Sequence, residues 1–230
     1  MPHSVENHLR LRVAEYDRLI RTFIPGYELM LGTIVRWLEL VLPPDGLVID
    51  LGGGTGSLSY LVAEKLPHTN IEIWDVDMKM LALAKERLSK FADRMVYNEK
   101  SFDQPLPRCS AVVASLTFHH VRQLKQKIEI YKNIFDALTP GGMFLNGDVT
   151  LAADLPLQEG TRALWREFMK RNGMSDEVVM QHFREWAEED TYFSLKEEYT
   201  ALAAAGFANP ECFWKYGPTT VFGAMKSTEM

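Results

Sequence analysis

A doubly wound α/β fold, with a mostly parallel seven-stranded sheet and helices on both faces, is the fold class the sequence predicts. Three observations point to it. Short apolar runs alternate with segments of helical periodicity between residues 47 and 147, the pattern of strands joined by crossover helices. The first run, Leu47–Leu51, is almost wholly apolar and ends directly in glycines, as a buried parallel strand feeding a helix does. The alternation stops near 151–190 and then resumes, which marks an inserted segment rather than a second domain.

Composition agrees. A chain of 230 residues with 47% hydrophobic and 24% charged residues has enough apolar side chains for one well-cored domain and too many for wholesale disorder. No apolar run reaches the roughly 18–20 residues of a membrane span. The start, MPHSVENHLRLRV, has no apolar h-region, so a cytoplasmic protein is expected. The two cysteines, Cys109 and Cys212, make no disulfide framework. The formal charge of −6 argues against an electrostatic grip on nucleic acid.

The elements follow in order. Residues 9–22 and 27–41 carry apolar residues at helical spacing and are parted by Ile24-Pro25-Gly26. A helix is expected over about 57–66, a strand at 71–76, and a helix over 78–91 whose Lys85-Glu86-Arg87 reads as a solvated face. Strands follow at 95–99 and 111–116. The next helix, 124–138, is stopped by Thr139-Pro140-Gly141-Gly142, and Met143–Gly147 is the fifth strand. Two helical stretches, 158–171 and 175–188, form the insertion, read as a cap over the ligand crevice. Trp186-Ala187-Glu188-Glu189-Asp190 reads as a solvated helix end. A helix at 194–205 and strands at 211–216 and 219–225 close the chain.

Asp50-Leu51-Gly52-Gly53-Gly54-Thr55-Gly56 sits between a strand and a helix, where glycines let backbone approach a ligand and supply positive φ. An acid, Asp75, ends the next strand, in the position that holds a ribose hydroxyl pair in nucleotide-binding folds. Asp77, two residues on, competes for that role but precedes a helix and suits its N-cap. The spacing Gly-x-Gly-x-Gly differs from the dinucleotide fingerprint Gly-x-Gly-x-x-Gly, so a nicotinamide dehydrogenase ranks last. No Gly-Lys-Ser/Thr follows, which excludes a P-loop.

Taken with IWDVDMKMLALAKERL, ASLTFHHV and LTPGGMFLNGD, VIDLGGGTG makes the chain resemble a class I S-adenosylmethionine-dependent methyltransferase. The likeness covers roughly 9–150 and 194–226. It implies S-adenosylmethionine as cofactor and S-adenosylhomocysteine as product. By resemblance, Gly52, Gly53, Gly54 and Gly56 lie against the methionine and ribose, Asp50 supports that cofactor-binding loop, and Asp75 holds the ribose hydroxyls. Val76 and Met80 line the adenine. Ser101 and Phe102 take the adenine position, with Asp103 as the alternative acid. Ser115 and Leu116 lie beneath the sulfonium, and Tyr16 reaches the methionine end or else packs on Leu19 and Ile20.

Methyl transfer from a sulfonium is an in-line displacement, so placement does most of the work. A base is needed only for a weakly acidic acceptor, and His119, His120 and Asp148, at two strand ends, are the candidates. Tyr27, Trp165, Trp186 and Trp214 are candidates for the acceptor's walls, Trp214 having a hairpin-core role as its alternative. No Cys/His/Asp spacing suggests a metal site. The expected partner is a small-molecule acceptor, with neither nucleic acid nor membrane, and a homodimer is left open. The runner-up is an RNA-linked enzyme: Ile24-Pro25-Gly26-Tyr27 resembles the leader of tRNA wobble-uridine carboxymethyl-S-adenosylmethionine synthases. Arg162, Arg166, Lys170 and Arg171 face phosphates in that reading and pair with Glu159 and Glu167 in the plainer one. A cofactor-binding protein without turnover is the third class.

Overall fold

Ile24-Pro25-Gly26 breaks the leader as its sequence requires. The computed structural model of the chain describes residues 16–228. It places α1 at Tyr16–Phe23 and α2 at Tyr27–Val41 on either side of that break. Gly26 precedes α2 at φ +69°, and a Cβ there would run into the Trp214 ring at 2.6 Å. The expected helix over residues 9–15 lies outside the described residues.

Seven strands follow: β1 (Leu47–Leu51), β2 (Asn70–Asp75), β3 (Met95–Glu99), β4 (Cys109–Ser115), β5 (Leu138–Val149), β6 (Glu211–Tyr216) and β7 (Thr219–Met225). They form one sheet in the order β3-β2-β1-β4-β5-β7-β6. Strands β1 to β5 pair in parallel, and β7 runs antiparallel to both of its neighbours. The crossovers are α3 (Ser57–Lys65), α4 (Met78–Arg87) and α5 (Leu124–Ala137); the later helices are α6 (Leu155–Arg171), α7 (Asp176–Glu189) and α8 (Leu195–Ala204).

Alternation along each strand feeds two cores. Val48, Ile73, Val113 and Leu145 face Met30, Leu31, Ile34 and Leu38 of α2, with Leu58 and Val62 of α3. Ile49, Leu51, Val112 and Phe144 face Ile130, Tyr131 and Ile134 of α5 and Leu202 of α8. A strand buried on both sides needs apolar residues at nearly every position, which is why LVIDL reads as a continuous run. No helix among the described residues is long and apolar enough to cross a membrane.

Three boundaries differ from expectation. Strand β5 begins at Leu138, so Thr139-Pro140-Gly141-Gly142 ends the helix and is already strand. Leu138 pairs with Cys109 across a bulge, and Gly141 and Gly142 exchange backbone bonds with Lys226. Helix α4 ends at Arg87 and passes into a 3₁₀ stretch, Ser89–Arg94. Helix α6 starts at Leu155, because the Asp154 carboxylate accepts from Leu157 N and Pro156 sits in the first turn, where its missing N–H costs nothing.

The insertion packs through aromatic rings. Trp165 stacks on Trp186 at 5.4 Å, Phe183 leans on Trp165, and the Trp165 indole donates to the Phe23 carbonyl at 2.6 Å. The helical cap is thereby tied to the end of α1. On its outer surface Lys170 reaches Asp176, as does Arg166, and Arg171 reaches Glu167. Two of those cations thus find Asp176 rather than the expected Glu159.

Gly223 of β7 pairs with Leu145 of β5, and a Cβ at that position would penetrate the Phe144 carbonyl oxygen. Gly223→Ala is expected to destabilise the fold by more than about 3 kcal/mol, as read from the urea midpoint and slope.

Candidate active site

The glycine loop needs left-handed backbone at alternate positions: φ is +63° at Gly52, +54° at Gly54 and +75° at Gly56. Gly52 N and Gly53 N donate to the Trp74 carbonyl, which fastens the loop to β2. A Cβ at Gly52 would collide with Thr117, and one at Gly53 would meet Ile73 at 2.6 Å. Asp75 then organises both loops. Its Oδ2 accepts from Gly54 N and its Oδ1 from Asp77 N, each at 2.8 Å. Burial raises its carboxyl above the ordinary range, in part offset by these N–H groups. Asp77 caps α4 by accepting from Lys79 N at 2.9 Å.

Beneath the loop, Asp50 is fully buried. Its Oδ2 accepts from Ser59 Oγ at 2.6 Å, its Oδ1 has no partner, and burial pushes its carboxyl up to about 7. A small cavity of about 30 Å³ adjoins it, lined by Tyr27, Gly53, Ser57 and Ser115 among others. Burial pushes the Tyr27 phenol up to about 12. Over the loop, the Asp17 carboxylate of α1 accepts from Thr55 Oγ1 at 2.7 Å and Ser57 Oγ at 3.0 Å and pairs with Arg87. Arg87 also donates to the Thr55 carbonyl and Ser57 Oγ. Sequence periodicity put Arg87 on a wet face; it is instead the bracket between α4, the glycine loop and α1.

A cavity of about 440 Å³ runs along the carboxyl ends of the strands. Its lining includes Gly52, Gly54, Asp75, Val76 and Met80 from the β1 and β2 ends, Ser101 and Phe102 after β3, Ser115, Leu116, His119 and His120 after β4, and Trp165 and Trp186 from the cap. Leu116 holds φ +54°, which costs energy for a non-glycine residue. Asp77, the competing acid, also lines the cavity, and residues that the sequence did not single out complete it: Ile20, Phe23 and Ile24 from the leader, Trp74, Lys100, Thr117, Val149, Asp190 and Tyr192.

Other candidates fall elsewhere. Asp50, Gly53 and Tyr27 border the small cavity, while Gly56 precedes α3 and packs against Leu88 and Ala84. Asp103 is absent from the lining, and Asp148 stands one layer behind it. Trp214 is a correction: it lies on β6 against Gly26 and Tyr216, away from the cavity, because β6 is the sheet's outer strand. Tyr16 opens α1, and its side chain lies outside the described residues.

The histidine end is a chain of alternating donors and carboxylates. Asp148 Oδ1 lies 2.6 Å from His119 Nδ1, and its Oδ2 accepts from His119 N at 3.1 Å. Asp190 Oδ1 lies 2.9 Å from His120 Nδ1; its Oδ2 accepts from the Tyr192 hydroxyl at 2.8 Å and stands 3.9 Å from His119 Nε2. Asp190 is buried at 7% exposure, which corrects the expected solvated helix end. Burial works against a charged His119, but the Asp148 and Asp190 carboxylates outweigh it and push the imidazole up to about 9. Burial opposes the Asp148 charge too, yet His119 and Lys127 hold its carboxyl below the usual range. His119, His120 and Asp190 each bring a ligating atom within 4.8 Å of the others, as a metal site does. Within it His120 is hydrogen-bonded to Asp190, while His119 is hydrogen-bonded to Asp148.

The chain was then compared with known proteins. Residues 49–144 match the family model described as a methyltransferase domain. A carboxy-S-adenosyl-L-methionine synthase of Nautilia profundicola is 23% identical over 212 residues, 92% of this chain and 90% of that protein. One from Shewanella amazonensis is 26% identical over 207 residues, 87% of this chain and 84% of that one. Among solved structures, an O-methyltransferase family protein from Burkholderia thailandensis superposes with TM-score 0.69 at 17% identity, over 98% of this chain and 65% of that chain. Human N-acetylserotonin methyltransferase in complex with SAM gives 0.60 at 18%, over 94% and 66%.

His119 gives the site a signature in stability. Its native value near 9 lies above the ordinary 6.5, so the stabilisation is complete below about pH 6.5 and is lost as pH rises through 9. Unfolding free energy is expected to fall by on the order of 3 kcal/mol over that interval. His119→Gln, followed by urea titration at several pH values, is expected to start less stable and to lose the slope.

Proposed function

From a chain with the class I S-adenosylmethionine-dependent methyltransferase fold and a methyltransferase domain over residues 49–144, we infer an enzyme that moves a methyl group from S-adenosylmethionine to a small-molecule acceptor. One observation carries this reading. A single cavity holds the glycine loop and Asp75 at one end and the paired histidines under an aromatic cap at the other.

The residues present fit the cofactor. Asp75 spends one lone pair of each carboxylate oxygen on a backbone N–H and keeps the others for two adjacent ribose hydroxyls. Asp50, fully buried beneath the loop, accepts from Ser59 Oγ and supports the glycine turn from below. Val76, Met80 and Phe102 offer apolar contact to an adenine. When bound, S-adenosylmethionine supplies the electrophilic methyl, and the departing thioether requires no proton.

The protein's remaining tasks are alignment, exclusion of water and removal of one proton from an acceptor O–H or N–H. His120 suits the last task. Asp190 engages its Nδ1, which assigns proton acceptance to Nε2, and the ring lines the cavity. His119 is a poor base: its imidazole, held near 9, already carries its proton at neutral pH. It serves instead as a fixed positive group that ties Asp148 to Asp190. Ile20, Phe23, Ile24, Trp165 and Trp186 supply the dry wall around the acceptor.

A second reading is supported by the names of the matched relatives, carboxy-S-adenosyl-L-methionine synthases. Such chemistry places an extra carboxylate beside the sulfonium, and a cationic partner for it is expected. Among the described lining residues Lys100 is the one Lys or Arg, and its ammonium lies over the Trp74 ring at 4.5 Å, beside Asp75 rather than under the cap. Methyl transfer is therefore favoured.

Calorimetry of the protein with S-adenosylmethionine is expected to give micromolar binding, with none for NAD. Asp75→Ala is expected to weaken it at least about tenfold, on the order of 1.4 kcal/mol. With an acceptor found by screening for S-adenosylhomocysteine release, His120→Ala is expected to lower kcat about 100-fold with cofactor affinity intact. Mass spectrometry of the cofactor pool separates the readings: a carboxylated cofactor in place of a methylated acceptor would overturn methyl transfer.

A further inference from the structure

Behind the histidines, outside the cavity, sits an ion pair that the chemistry above does not use. Lys127 of α5 is 1% exposed and Glu198 of α8 is 2% exposed. The Lys127 ammonium donates to Glu198 Oε1, and the Tyr131 hydroxyl donates to Glu198 Oε2 at 2.7 Å. The same ammonium lies 4.8 Å from the centre of the Phe193 ring. All of this is enclosed between the sheet and two helices.

Stability alone is a weak reason for such a pair. Removing two charges from water costs several kcal/mol per ion, and well-packed apolar residues join two helices equally well. Position is more telling. Helix α5 precedes a parallel strand, so its amino-terminal turn lies at the carboxyl end of the sheet. Its buried face reads Lys127, Ile130, Tyr131 and Ile134. Tyr131 packs on Phe144 at 5.3 Å, and alternation along β5 puts Asp148 on the face of Phe144. Lys127, one turn ahead of Tyr131, lies toward the same carboxyl edge of the sheet as Asp148, and its charge acts on both Asp148 and His119. The Phe193 ring belongs to the segment that carries Asp190 and Tyr192. That segment is fastened by Thr191 N to the His119 carbonyl at 2.8 Å and by Leu151 N to the Phe193 carbonyl at 3.3 Å.

We propose that Lys127 is a positioning residue for the histidine end of the cavity: clamped by Glu198, it is the fixed positive charge behind Asp148, and through Phe193 it seats the 190–193 segment against His119 and His120. The proposal rests on the methyltransferase reading for its catalytic meaning, but its geometry and its test do not. The charged groups that act on His119 are Asp148 from β5, Asp190 from the 190–193 segment and Lys127 from α5, and the titratable rings of His120 and Tyr192 lie against it. Of these, Lys127 is the cation that opposes protonation of His119. It favours the ionised form of Asp148 at the same time.

The test is the NMR titration of the His119 imidazole in the full-length protein, which needs no acceptor. Lys127→Met/Glu198→Met removes the pair without leaving a lone buried charge. In that variant the His119 midpoint is expected to rise by about half a pH unit or more, and kcat to fall about tenfold with cofactor affinity within twofold. Lys127→Arg is expected to restore the wild-type midpoint. Should the double variant not fold, Lys127→Gln, which keeps a hydrogen bond to Glu198, carries the same expected upward shift. An unchanged midpoint in a folded variant, with only the melting temperature lowered, would make the pair a packing device and overturn the proposal. Absence of turnover in the wild type would sink the catalytic reading and leave the titration result standing.

Discussion

Strands β1 and β4 lie side by side, yet the chain leaves β1 toward β2 and leaves β4 toward β5. Their crossover helices therefore occupy opposite faces, and the loops after the two strands part to leave a crevice at the carboxyl edge. That divergence is the constraint on which the site depends. The loop after β1 is Gly52–Gly56 and the loop after β4 is Leu116–His120, so the glycine-bearing and histidine-bearing walls arise from one topological event. A single side chain keeps the two loops in register: the Thr117 hydroxyl reaches the Leu51 carbonyl at 3.1 Å and the Gly52 carbonyl at 3.4 Å. Only glycine at 52 leaves room for it.

What was readable in the sequence is what local physics dictates. Positive φ at three alternating positions selects glycine, a doubly buried strand selects LVIDL, and an acid at a strand's end has few structural excuses. These made the fold and the glycine-loop half of the cavity legible. The other half is built from partners far apart in the chain. Asp190 stands 70 residues from His120, Glu198 stands 71 from Lys127, and Arg87 stands 70 from Asp17. In isolation each reads as the wet end or face of an amphipathic helix, since helical periodicity reports which side is polar and not whether a neighbour covers it. Trp214 carried two readings, an acceptor wall and a hairpin-core residue, and on β6 it lies against Gly26 and Tyr216 as the second has it.

The histidine end shows how burial changes chemistry without changing residue type. His119 and His120 are adjacent in sequence and their rings lie 4.1 Å apart, yet their surroundings differ. His119 has a carboxylate at Nδ1, another 3.9 Å from Nε2, and little solvent, so the charged imidazole is favoured although burial alone would discharge it. His120 has the Asp190 carboxylate at Nδ1 and lines the cavity. Two neighbouring side chains of one kind thus divide into a structural cation and a candidate base, a division that follows from which carboxylates fold onto them.

Helix α1 crosses the cavity fastened at both ends: Asp17 is held by Arg87, Thr55 and Ser57, and the Phe23 carbonyl is held by the Trp165 indole. The two fastenings differ in kind. The first is ionic and half-exposed, so dissolved salt weakens it; the second is a neutral hydrogen bond in an apolar surround, which salt leaves alone. Rising ionic strength therefore loosens the Asp17 end of α1 before it touches the Phe23 end, and the helix has one salt-sensitive anchor and one salt-blind anchor.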